Sequence, residues 1–130
     1  MKYIATILFA AMLFAAPANE QAAPSGVAWL KLIDSAKYAD SWREASTYFR
    51  SRVPEKQWVT TVQTVRAPLG ALVSRKQRSV TFTTTMPGSP DGNYGVIVFD
   101  TSYQNKASAM EQLTVMAEGE KWRVAGYFIR

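Results

Sequence analysis

The chain contains no Cys and no His, so any chemistry its side chains perform must run on carboxylates, arginines, lysines and tyrosines. Thiolate and imidazole metal ligands, a Cys nucleophile and a Ser-His-Asp triad are all excluded. Asp34 is the most suggestive acid, because it follows Ile33 directly and stands at the edge of an apolar helical stripe. Desolvation there would raise a carboxylate's pKa and make it a usable base, with Arg66 or Tyr127 as polarising partner. The plainer reading has Asp34 accepting hydrogen bonds from backbone or Arg and fixing its helix. Asp40 reads as a helix-start residue. Asp34, Asp100 and Glu111 are the acids available for a glycosidase-type pair, which needs a separation that chain spacing does not define.

Four tryptophans, Trp29, Trp42, Trp58 and Trp122, lie on apolar stripes or strand faces and read first as core. The sharper reading has Trp29, Trp42 and Trp58, with Tyr38, Asp34, Arg66 and Tyr127, lining a helix–sheet cavity for a small apolar ligand. Met86, Met110 and Met116 are irregularly spaced and read as core fillers rather than copper ligands. No phosphate loop, metal-ligand spacing or Ser-x-x-Lys occurs, and no cofactor or metal is expected. Arg75-Lys76-x-Arg78 is the densest basic cluster; on a strand Lys76 and Arg78 share one face and Arg75 takes the other. Such charges protect a strand edge, or meet an anionic partner.

The elements that must position these residues follow from periodicity. Met1-Lys2, an uncharged apolar run from Tyr3 to Ala16, and small residues at Ala16 and Ala18 read as a secretory leader over residues 1–18. The run is too short for a membrane span, and without Cys there is no lipidation site. A periplasmic or secreted location is the expectation. Cleavage after Ala18 would leave 112 residues with fourteen basic and ten acidic side chains, a balance too weak for nucleic acid. Residues 19–24 read as a flexible lead-in, and 25–130 as a single domain.

Trp29, Leu32, Ile33 and Ala36 make one helical stripe, and Tyr38, Trp42, Ala45 and Phe49 a second, out of phase with it. Ser41-Trp42-Arg43-Glu44 reads as a capping box beside the bend. Val53-Pro54-Glu55 opens a third helix with Trp58, Val62 and Val65 as its buried face, stopped by Pro68 and Gly70. Beyond Gly70 the period changes to 2. Strands are expected over 79–86, 94–99, 109–117 and 121–130, with turns at 87–92, 104–107 and 118–120. Short turns make an antiparallel meander, and three helices cover one face of it: an α+β fold.

These residues resemble a bacterial family known only as domain of unknown function 4019. The resemblance rests on Trp29-x-x-x-Ile33-Asp34-x-x-x-Tyr38-x-x-x-Trp42, Trp58, Arg66-x-Pro68-Leu69-Gly70 and Arg75. It continues through Pro87-Gly88-x-Pro90-Asp91-Gly92-x-Tyr94, Thr101-Ser102-Tyr103-x-Asn105-Lys106, Glu111 and Trp122-Arg123-Val124-x-Gly126-Tyr127. It implies a cystatin-like cone of the nuclear-transport-factor type, a curved sheet wrapped round helices, and no particular activity. The leading expectation is an exported non-catalytic module for a small apolar ligand or a periplasmic protein. The alternative is an isomerase, dehydratase or hydrolase with Asp34 as base. A homodimer packed sheet to sheet would use Phe99, Thr101 and Tyr103.

Overall fold

A computed structural model describes residues 16–130; of the leader, residues 1–15 lie outside the described residues. Among the described residues four helices precede four strands: α1 (Ala22–Asp34), α2 (Tyr38–Glu44), α3 (Thr47–Arg52), α4 (Glu55–Arg66), β1 (Leu72–Thr83), β2 (Tyr94–Tyr103), β3 (Lys106–Glu118) and β4 (Lys121–Ile129). The strands form one antiparallel sheet in the order β1-β2-β3-β4. The fold is α+β, as the change of period requires.

The helical count is four rather than three, and the boundaries have local causes. A 3-10 turn at Asn19–Gln21 leads straight into α1, whose first residue, Ala22, is fully buried. The segment read as lead-in is therefore helical from Asn19. Ala22, Gly26, Trp29, Leu30 and Ile33 form the buried stripe of α1. Gly26 lets the helix lie close on the sheet, since a Cβ there would stand 2.7 Å from Leu113 Cδ2. At the other end, Lys37 N donates to Leu32 O and Ala36 N to Ile33 O, closing the helix with Ala36 at φ 57°.

Ser41 does not cap a helix; it sits buried inside α2. Its Oγ donates to Tyr38 O and accepts from Trp58 Nε1 (2.9 Å), while its carbonyl accepts from Trp29 Nε1 (2.8 Å). One small serine thus satisfies two buried indoles. The second stripe breaks at Ala45–Ser46 because Ser46 N donates to Val124 O on β4 and Ser46 Oγ caps α3 at Phe49 N. In α4 the buried face is Trp58, Val62 and Arg66; Val65, expected inside, is exposed.

Two β-bulges set which side chains face the helices. In β1 Gln77 pairs with Phe99 and Ser79 with Val98, so Arg78 is an extra residue. In β4 Gly126 pairs with Thr114 and Val124 with Val115, so Ala125 is extra. Each bulge reverses the parity of inward positions. Arg75 and Val80 consequently share the inner face of β1, and Trp122, Val124 and Tyr127 that of β4.

Phe99, Thr101 and Tyr103 share one face of β2, as expected, but that face lies under the helices and is almost fully buried. They cannot serve a sheet-to-sheet dimer.

Candidate functional site

Asp34 ends α1, where the helix dipole disfavours a negative charge. Two cations compensate. Arg75 Nη1 and Nη2 donate to Asp34 Oδ2 (2.8 Å) and Oδ1 (2.9 Å), a two-pronged bond, and Arg66 Nη2 lies 3.6 Å from Asp34 Oδ1. The Arg75 guanidinium also turns its Nε to Glu111 Oε1 (2.7 Å) and shares Nη2 with Oε2 (3.2 Å). Thr101 and Tyr127 hydroxyls also donate to Glu111. Arg66 stacks 4.4 Å over the Tyr103 ring and donates to Gly70 O. Arg66 Nε and the Tyr103 hydroxyl are buried without a hydrogen-bond partner among the described residues.

The electrostatics follow from that geometry. Burial works against ionised Glu111, yet hydrogen bonds from Arg75, Thr101 and Tyr127 hold its carboxyl below the usual range. Burial likewise opposes the charge on Arg75, and Asp34 and Glu111 outweigh it, raising its pKa. Burial first, then the negative charge of Glu111, pushes Tyr127 up and lifts Tyr103 to about 12. Asp34, Glu111, Arg66 and Arg75 balance two negative charges against two positive ones inside the protein.

Of the expected site residues, the structure brings Asp34, Arg66 and Tyr127 into this one cluster, joined through Arg75 and Glu111. Both Asp34 oxygens are occupied by Arg75 rather than free to take a proton from substrate. Asp100, the third acid considered for a glycosidase pair, pairs with Arg78 at the surface. Trp29, Trp58 and Phe49 fill the core: Trp58 meets Trp29 at 6.2 Å and Phe49 edge-on at 5.1 Å, and Tyr127 meets Trp29 edge-on at 5.5 Å. Trp42 donates to Val53 O, and Tyr38 packs half-buried on the same core. These aromatics interlock with one another in the core.

A groove of about 670 Å³ runs between α1, α2 and β4, with Ala28, Trp29, Leu32, Trp122 and Val124 among the side chains along it. Its rim carries Lys37, Asp40, Arg43, Glu44, Glu120, Lys121 and Arg123. Arg43 pairs with Asp40 and Glu55, and Arg123 with Glu44, all partly exposed to solvent. Pro17 also lines the groove, and Ala18 O accepts the Trp122 indole N–H at 2.9 Å.

Arg75 and Glu111 stand 36 residues apart on different strands, and no local pattern joins them. One signal was available: Glu111 falls in the alternation Ala109-x-Glu111-x-Leu113-x-Val115, a charge on an apolar strand face. Trp122 as a groove wall had no such signal.

A family model described as "Protein of unknown function (DUF4019)" matches residues 25–127. The chain belongs to this family. The DUF4019 match runs from α1 into β4 and contains every member of the Arg75 cluster and all the groove side chains except Pro17 and Gln21. No curated protein and no solved structure matches the chain. Among the described residues there is no helix long and apolar enough to cross a membrane, and no group of three acidic side chains placed to hold a metal ion.

Proposed function

We propose that this DUF4019 chain is an exported, non-catalytic binding module, and that its site is the groove between α1, α2 and β4. One observation carries the reading. Both carboxylates of the buried cluster, Asp34 and Glu111, are bonded by Arg75, while the groove offers apolar side chains beside charges of both signs. A rim of mixed charge suits an extended peptide segment of a partner protein, whose main chain and side chains present both polar signs and apolar groups. A small apolar ligand would require enclosure on most sides, and the rim residues Lys37, Asp40, Glu44 and Lys121 are exposed. Export rests on the leader-like sequence of residues 1–18.

The absence of Cys makes a decisive test simple. Ala28→Cys supplies a unique thiol on the groove for a benzophenone label, and Gln57→Cys supplies one on exposed α4. Irradiation with a library of defined decapeptides is expected to give adducts from position 28 and few from 57, and Leu32→Asp should abolish them. Equal labelling from both positions would overturn the groove. Turnover of any substrate that vanishes in Asp34→Ala, with the fold intact, would overturn the non-catalytic half. Amino-terminal sequencing of protein from the producing cell checks export, with Asn19 as the expected first residue.

A further inference from the structure

Trp122 walls two depressions, and the second differs in chemistry from the groove. It encloses about 220 Å³ and is lined by Asn19, Phe82, Thr83, Thr84, Asn93, Tyr94 and Trp122. None of these side chains is charged. Phe82 is 41% exposed although it is aromatic, and its ring centroid lies 6.0 Å from that of Trp122 at 51°. Tyr94 spends its hydroxyl on Pro90 O, and Thr83 spends its own on Thr85 O. Asn19, Asn93 and Thr84, all exposed, surround the aromatic pair with amide and hydroxyl groups.

We propose that this depression is a subsite for a neutral saccharide unit, stacked on the exposed Phe82 ring beside the buried Trp122 and hydrogen-bonded by Asn19, Asn93 and Thr84. The chemistry matches in each part. A pyranose ring has a C–H face that lies on the electron-rich face of an aromatic ring. Its rim of hydroxyls both donates and accepts, as amides and hydroxyls do. No side chain of the lining offers an ionic ligand a counter-charge, and a wholly apolar ligand would leave the amides without partners. The size fits one sugar ring and not an extended peptide. The proposal is independent of the groove on the other side of Trp122.

The test is a ¹⁵N titration of the chain with cellotriose and with tri-N-acetylchitotriose, following the Trp122 indole and the side-chain amides of Asn19 and Asn93. Saturable shifts at those three groups are expected, with Kd of about 0.1–1 mM for so small a site. Phe82→Ala should remove them, and Asn93→Ala should weaken binding by about tenfold, the loss of one or two hydrogen bonds. Both side chains are exposed, so the fold should tolerate the changes, and an unchanged amide spectrum of each variant verifies that. Absence of saturable shifts with either sugar overturns the proposal, as does binding unaffected by Phe82→Ala. Phenol shifting the same groups while the sugars do not would also overturn it, making the pocket a plain aromatic site. Sugar-induced shifts confined to Leu32 and Lys37 would sink the subsite and leave the groove standing.

Discussion

The Arg75 cluster and the groove beside Trp122 are built from the same side-chain types, yet one is closed and the other open. Arg75 has 9% of its side chain exposed and lies between two carboxylates, each with further donors. On the groove rim Arg43 makes ion pairs with 58% of its side chain in water. Water screens the second set and leaves its members free to exchange partners. The first set is held in a low-dielectric interior, where every charge depends on the others being present. Burial, rather than residue type, therefore separates the part of the molecule that keeps its shape from the part that can accept a ligand.

The strongest way to break this contrast is Arg75→Leu. It leaves Asp34 and Glu111 without their common cation and should cost about 3–5 kcal/mol in urea unfolding. Replacing Asp34, Arg75 and Glu111 together by Leu should recover most of that loss, because the buried charges leave with their partners. A single-variant cost below about 1 kcal/mol would mean that water reaches the cluster.

The titration of the cluster comes next. The Glu111 carboxyl lies below its ordinary value in the folded state, so its contribution is complete above about pH 4.5 and is lost as pH falls through the depressed pKa. Tyr103 lies above its ordinary value, so its contribution is complete below about pH 10 and fades as pH rises towards about 12. Stability measured against pH should be flat between these limbs, and Glu111→Gln should shrink the acid limb, leaving the part due to Glu118, whose carboxyl Thr47 also holds below its ordinary value. An acid limb unchanged in that variant would place its cause elsewhere.

Smaller effects belong to the groove. Leu32→Asp should cost about 1–2 kcal/mol, since Leu32 is half-buried against the edge of the core, while removing peptide adducts from position 28. A large loss of stability would show that the groove wall is core. Smallest of all is Arg78→Ala. Arg78 stands three residues from Arg75 on β1 and also bonds a carboxylate, Asp100, but on the exposed face. Its removal should leave the unfolding midpoint unchanged within error.

Much of the architecture was legible because hydrophobic period reports burial directly. The change of rhythm near Gly70 separates α4 from β1, and Gly119 at φ 62° turns β3 into β4 where Glu118-Gly119-Glu120 announced it. The second stripe misled, because Tyr38 to Phe49 keeps helical phase across a real break. What ends α2 is a hydrogen bond from Ser46 N to Val124 O, some eighty residues on, and no local pattern encodes it. Ser41 misled in the same way: its neighbours make a capping box, while two tryptophans from α1 and α4 claim it instead.

The candidate site divides along the same line. Asp34 could be named from the sequence because it borders an apolar stripe, and a polar group there must find a partner, for which Arg66 and Tyr127 were the candidates. That the partner is Arg75, shared with Glu111, was decided by the bulges at Arg78 and Ala125. Strand side chains alternate with period 2, and one extra residue reverses every position beyond it. The residue order therefore determined which groups must be paired and which element carries each. Only the assembled sheet decided which face Arg75 and Tyr127 take, and so whether the charges close on themselves or open to a ligand.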